Sequence, residues 1–202
     1  MDSLEKIYEE MLEAARGFKK SEADIVYGEG RRDAAIMLVG EAPGAEETRL
    51  SRPFVGQAGK NLDEFLLFLG LQRGDIYITN TVKFRPYKIS PKGRVSNRPP
   101  KQAEIDLMVP FLLREIEAVS PKIVVTLGNV PLKCVLQDKK ASIGGRHARP
   151  AKARAFSHEF ILFPLYHPAS VIYDRSLKER YNGDLLLLKD FLDGMVWGNI
   201  CR

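Results

Sequence analysis

Apolar positions along the 202-residue chain follow two spacings that take turns. Leu4, Ile7, Tyr8, Met11, Leu12 and Ala15 recur every three or four residues, so an amphipathic helix is predicted over residues 3–17, ending near Gly17. Ile36 to Val39 is a continuous apolar run too brief for a helix and predicts a buried strand over 35–40. Leu62, Phe65, Leu66 and Leu69 return to helical spacing, stopped by Gly70. Ile76 to Val82, rich in β-branched and aromatic residues, predicts a second strand. A helix follows from Pro99-Pro100 to Ser120-Pro121, with Ile105, Met108, Val109, Leu112, Leu113 and Ile116 on one face. Ile123–Leu127 is the third strand, 130–136 a helix, and Phe160–Tyr166 the fourth strand, whose Pro164 marks an irregular end or an edge. A last helix covers 176–193, and residues 18–34 read as a polar connection with room for a short strand at Ile25-Val26-Tyr27.

Strands alternating with helices predict a three-layer α/β/α fold around a central, mainly parallel four-stranded sheet. The chain reads as a single domain over 1–202, with 1–34 an N-terminal helix and connection and 35–192 the core. In such a sheet the loops after the strands collect on one side, where ligands bind. Those loops carry Glu41, Asn80, Gly128-Asn129 and His167.

Composition narrows the partners only a little. Hydrophobic residues make up 45% and charged residues 28%, the proportions of an ordinary globule. The longest apolar runs fall short of a membrane span, and acids stand near the N-terminus where a secretory signal would carry bases, so a cytoplasmic protein with no membrane association is expected. The net charge of +5 favours an anionic partner, and basic residues gather in the 88–101 and 139–154 loops. Cys134 and Cys201 lack metal-site spacing, and His147, His158 and His167 are scattered, so no metal is expected.

The richest stretch for chemistry is Ile36–Gly59. Gly40-Glu41-Ala42-Pro43-Gly44 breaks a strand and places an acid over the cleft, Phe54 supplies an aromatic face, and Gly56-Gln57-Ala58-Gly59 opens a helix whose N–H groups suit a phosphate. Neither a Gly-Lys-Ser/Thr phosphate loop nor a Gly-x-Gly-x-x-Gly fingerprint is present, which argues against nucleoside triphosphates and NAD and leaves nucleic acid open.

Gly40–Gly44, Arg52-Pro53-Phe54-Val55-Gly56, Tyr77-Ile78-Thr79-Asn80, Asn97-Arg98-Pro99 and Tyr166-His167-Pro168-Ala169 stand in order at predicted strand ends and loops. Together they resemble the family-four uracil-DNA glycosylases of the wider uracil-DNA glycosylase superfamily, over roughly residues 35–192. The resemblance implies a monofunctional base-excision repair enzyme that hydrolyses the N-glycosidic bond of uracil in DNA. Glu41 would hold or activate the attacking water, and His167 would stabilise charge at uracil O2. Asn80 would pair with uracil O4 and N3–H, Phe54 would stack on the flipped base, Ala42 would line the pocket, and Glu47 would help close it against the thymine methyl. Gly56, Gly59, Gly128, Asn129, Ala169 and Ser170 would contact DNA through N–H or hydroxyl groups, Lys83 and Arg85 through charge, with Phe84 and Tyr87 as interleaved aromatics. The partner is DNA containing uracil, and the protein is expected to act as a monomer.

The chain departs from that family at its cofactor. The family holds an iron–sulfur cluster through four cysteines. The N-terminal pair is missing from residues 1–34, the third position is Phe84, and the fourth is Met108. No cluster is therefore expected. A glycosylase for another deaminated base, such as hypoxanthine or xanthine, and an inactive DNA- or nucleobase-binding protein are the rival readings.

Overall fold

The computed structural model describes residues 3–17, 25–173 and 176–194. Helix α1 (Leu4–Ala14) is capped by Ser3, whose hydroxyl accepts from the Lys6 N–H at 3.3 Å, and it runs into a single tight turn at Ala15–Gly17. Its buried residues Leu4, Ile7 and Met11 are those of the predicted apolar face.

A sheet of six strands follows: β1 (Glu29–Gly30), β2 (Ile36–Gly40), β3 (Tyr77–Asn80), β6 (Ile123–Leu127), β7 (Ala151–Ala155) and β8 (His158–Leu165), in the order β1-β3-β2-β6-β8-β7. The four inner strands are parallel, and all of β2, β3 and β6 is buried. Such burial explains why they read as continuous apolar runs. Helices α2 (Ala45–Leu50) and α3 (Gln57–Leu69) connect β2 to β3, α4 (Gln102–Val119) connects β3 to β6, and α5 (Asn129–Leu136) and α6 (Ile143–Arg146) precede β7. After β8 come α7 (Pro168–Tyr173) and α8 (Ser176–Gly194). Helix α1 packs on α4, while α3 packs on α7 and α7 on α8, giving the two outer layers.

The sheet is wider than the four strands the periodicity predicts. Both extra strands are antiparallel edges, β1 against β3 and β7 against β8. Strand β7 reads Ala-Lys-Ala-Arg-Ala, with Lys152 and Arg154 exposed, so it lacks the large apolar residues that flag a strand. Charges on an edge strand also keep it from pairing with another chain. The Ile25–Tyr27 segment contributes one bridge, Ile25 to Phe84, rather than a strand. Pro164 lies two residues past the last β7 pair, Ala151 with Leu162, so no ladder bond from β7 asks for its missing N–H. Residues 87–97 form a separate antiparallel ribbon, β4 (Tyr87–Ile89) and β5 (Val95–Asn97), where a basic loop is expected.

Connections leave β2 toward β3 on one side and β6 toward β8 on the other. The crevice between the carboxyl ends of β2 and β6 is thus the topological switch point of the sheet.

Candidate active site

Two adjoining cavities open at that crevice. One, of about 330 Å³, is walled by Ala42, Glu47, Phe54, Asn80, Asn97 and His167, among others. The second, of about 380 Å³, brings Glu41 and Ser170 to the same Ala42, Asn97 and His167. His167 therefore faces both cavities, and the predicted acid and imidazole share one of them.

Glu41 follows β2 and is fixed through the two residues that follow β3. The Val82 N–H donates to the Glu41 carbonyl (3.0 Å), while the Thr81 N–H and hydroxyl both donate to the Gly40 carbonyl (2.8 and 3.0 Å). Burial raises the carboxyl's pKa. His167 is held differently. The Ala169 N–H donates to its Nδ1 at 3.1 Å, so Nδ1 is the acceptor and the proton of the neutral ring sits on Nε2. Burial pulls its pKa down to about 4, so near neutral pH the ring is an uncharged donor. A carboxyl raised by burial and an uncharged ring N–H thus share one cavity.

The base-sized cavity is shaped by a glycine. A Cβ on Gly40 would collide with the Asn80 amide oxygen and stand 2.5 Å from Phe54 Cζ. Only a hydrogen fits there. Asn80 is 3% exposed at the end of β3, its side-chain amide facing the cavity. Phe54 sits at φ 52°, a left-handed conformation costly for an aromatic residue. Arg73 offsets that cost: its guanidinium donates to the Pro53 carbonyl (3.2 Å) and the Phe54 carbonyl, and its Nε donates to Asp63 (2.7 Å). The Phe54 and His167 rings lie 21° from parallel with centroids 6.2 Å apart.

The Uracil DNA glycosylase superfamily model matches residues 27–186. The chain belongs to the uracil-DNA glycosylase superfamily. It is 38% identical to the type-4 uracil-DNA glycosylase of Sulfurisphaera tokodaii over 94% of this chain and 85% of that one. It is 34% identical to the type-4 uracil-DNA glycosylase of Archaeoglobus fulgidus, over 91% of this chain and 90% of that one. The crystal structure of Pedobacter heparinus SMUG2 superposes with a TM-score of 0.55 at 11% identity, covering 81% of this chain and 76% of that chain, a likeness of fold.

Within this superfamily fold, several residues expected to touch DNA do other work. Lys83 is 1% exposed; its Nζ donates to the Glu115 carboxylate (2.5 Å), the Asn80 carbonyl (2.6 Å) and the Thr79 hydroxyl, so it cannot reach a phosphate. The Gly56 N–H donates to Glu47 (2.7 Å), and the Gly59 N–H donates to the Gly56 carbonyl (2.9 Å). A Cβ on Gly59 would strike the Phe54 carbonyl, which accounts for that glycine without a phosphate. The Gly128 N–H donates to Leu165 (2.8 Å), and Asn129 Oδ1 accepts from the Ile143 N–H (2.9 Å). The amides of Ala169 and Ser170 both turn back onto His167, and Ser170 lines the same cavity as Glu41. Phe84, at 2% exposure, offers no stacking surface, whereas half-buried Arg85 stands near the cavities and donates to Asn97 Oδ1 at 2.7 Å.

Glu47 lines the cavity, but its carboxylate accepts N–H bonds from Gly44 (3.0 Å), Val55 (3.1 Å) and Gly56 (2.7 Å). It braces two loops rather than presenting a charge to a ligand. Arg73, Thr81, Gly40 and Asn97 are the positioning residues the sequence reading missed. Of these, only Gly40 and Asn97 lie within the motifs themselves.

Proposed function

We propose that the chain hydrolyses the bond between uracil N1 and the deoxyribose C1′ in DNA. The observation that supports this most is the shared wall of the two cavities, which sets His167 between a base-sized slot and the Glu41 carboxylate. In the slot, Asn80 pairs its amide with uracil O4 and N3–H, and the Phe54 ring covers the base face. Cytosine reverses the donor and acceptor at those atoms, leaving a buried polar mismatch of about 1–3 kcal/mol per group. A base in duplex DNA reaches the slot only after it leaves the stack.

As the N1–C1′ bond breaks, its electron pair stays on the uracil and negative charge spreads to O2. His167 donates its Nε2–H to that oxygen without becoming charged itself. Glu41 sits on the sugar side, offsets the positive character at C1′, and takes a proton from the water whose oxygen bonds to C1′. Free uracil and an abasic site result. Among the described residues the cavity linings contain no lysine, which supports a reaction without a Schiff base that leaves the strand intact. This reading assigns Glu41 and His167 to catalysis and Ala42, Phe54 and Asn80 to the base, in a single monomeric domain acting on cellular DNA in the cytoplasm.

The proposal includes the absence of an iron–sulfur cluster. Phe84 and Met108 pack together with Met11, Ala15, Ile25 and Val82 in an apolar cluster separate from the main core. None of these residues supplies a thiolate, and the apolar packing of Phe84 and Met108 at two expected ligand positions supports this reading. Cys134 lies in the main core, where burial pushes its thiol up to about 12, and Cys201 falls outside the described residues. Among the described residues no group of His, Cys, Asp or Glu is placed to hold a metal, and no helix is long and apolar enough to cross a membrane.

Incubation with a uracil-containing oligonucleotide, followed by alkali, tests the activity. Cleavage at the uracil position only after alkali is expected; no cleavage with single- or double-stranded substrate removes the reading. Elemental analysis tests the cofactor, and a coloured protein carrying iron would refute that part alone.

A further inference from the structure

The β4–β5 ribbon is built as a rigid projection. Its turn is closed by the Ser90 N–H to the Arg94 carbonyl (2.9 Å), the Gly93 N–H to the Ser90 carbonyl (2.9 Å), and the Arg94 N–H to the Ser90 hydroxyl (3.1 Å). Its base is tied down by Arg98, which donates to the Tyr87 carbonyl (3.0 Å) and grips Glu104 with two bonds of 2.7 and 2.6 Å. The Arg85–Asn97 bond adds a second anchor.

The register gives the ribbon a working face. Tyr87 pairs with Asn97, Lys88 with Ser96, and Ile89 with Val95. Side chains alternate along a strand, so Ile89 and Val95 share the face of Asn97. Asn97 lines both cavities. The apolar pair therefore stands on the cavity-facing side of the ribbon, about 7 Å farther out at two residues' rise. Ile89 is 59% exposed and Val95 47%, two large apolar side chains held together in water. Around them Lys88, Lys92 and Arg94 are exposed, and from Ile76 to Ala103 the sequence contains no acid. An isolated two-stranded ribbon is marginal in water, and its width suits a DNA groove.

We infer that the β4–β5 ribbon is a second DNA contact, in which Ile89 and Val95 press on the strand beside the flipped nucleotide while Lys88, Lys92 and Arg94 neutralise nearby phosphates. This rests on the reading that the cavities take a nucleotide out of DNA. Continuity through Asn97 places the apolar pair about two base steps from the site, at the 3.4 Å rise of a strand. A partner protein would also meet an apolar pair, but the acid-free run around it matches a polyanion.

Two variants separate the parts: Lys88→Ala/Lys92→Ala/Arg94→Ala, and Ile89→Ser/Val95→Ser. All five side chains are exposed, so both variants should melt with the wild type. Three probes are needed: a 21-mer duplex with one uracil, the same duplex without uracil, and a trinucleotide with a central deoxyuridine too short to reach the ribbon. The basic variant should reduce the slope of log affinity against log salt on the uracil-free duplex by about 2–3, at ~0.9 per phosphate contact. The apolar variant should lower kcat/KM on the uracil duplex by about tenfold and leave the trinucleotide unchanged. Wild-type slopes and rates in both variants would overturn the inference, and so would an equal loss on duplex and trinucleotide. If the wild type releases no uracil from either substrate, the excision reading fails. The salt slope on uracil-free duplex then still decides whether the ribbon binds DNA.

Discussion

Two groups of buried polar side chains lie at the same end of the sheet, and they differ in what satisfies them. Beneath β3, the Glu115 carboxylate accepts from the hydroxyls of Tyr8 (2.8 Å), Tyr77 (2.9 Å) and Thr79 (3.2 Å) and from Lys83 (2.5 Å). Burial lowers the Lys83 pKa and raises those of both tyrosines, while Glu115 pulls Lys83 back toward its charged form. At the cavities, by contrast, burial raises Glu41 with no cation acting on it among the described residues, and Asn80 lines open space. A fully partnered polar network fixes structure, while polar groups left facing a cavity are free to act on a ligand. Lys83 joins the two, since the β3 carbonyl it holds belongs to Asn80.

The sharpest way to break this contrast is Glu41→Gln. Loss of a general base costs about 10²–10⁴-fold in rate, so release of uracil should nearly vanish in an alkali-cleavage time course. Stability should move the other way. A carboxyl whose folded pKa is raised contributes most below its ordinary value and loses that contribution as pH rises through the folded value. At neutral pH the neutral amide should therefore melt no lower than the wild type. A large drop in melting temperature would mean that Glu41 is structural after all.

His167→Ala should cost about 10²–10³-fold in kcat, the effect of losing one oxyanion donor. Lys83→Met should act on the other member of the comparison. Leaving Glu115 buried without its cation costs about 3–5 kcal/mol, readable in denaturant melts. If that variant keeps wild-type stability, the network is not the anchor described here.

A smaller effect is the shape of the pH profile. The acid limb should fall above 4.5 as Glu41 takes its proton, while His167, down at about 4, stays neutral across the limb. In Glu41→Gln the residual activity should lose that limb. His167 also gives a stability signature. Its folded value lies below the ordinary 6.5, so its contribution is complete above 6.5 and is lost as pH falls toward about 4.

The comparison also shows what was legible beforehand. Period and burial revealed the four inner strands, because a strand covered on both faces must be apolar throughout. The ends of those strands place Glu41, Asn80 and His167 around the two cavities, because topology alone gathers them there. Lys83 reads as a DNA contact from sequence, since a lysine after a strand gives no sign of whether it turns outward or beneath the sheet. Its decisive partner, Glu115, is 32 positions away in a helix, and a pairing at that distance leaves no local pattern. Glycines mislead for a similar reason: Gly56, Gly59 and Gly128 promise free amides, but each N–H donates to an oxygen within the fold. Edge strand β7 escapes notice because alanine, lysine and arginine fill it, and the ribbon because its strands are only three residues long.

Gly40 leaves one consequence for changing what the enzyme accepts. The distance between the Asn80 amide and the Phe54 ring is set where a side chain is missing, so there is nothing at that point to trim. Making room for a bulkier lesion would have to shift main chain, either the tip of β3 or the turn gripped by Arg73. Redesign that prunes side chains inside the slot should therefore yield weaker catalysts sooner than broader ones.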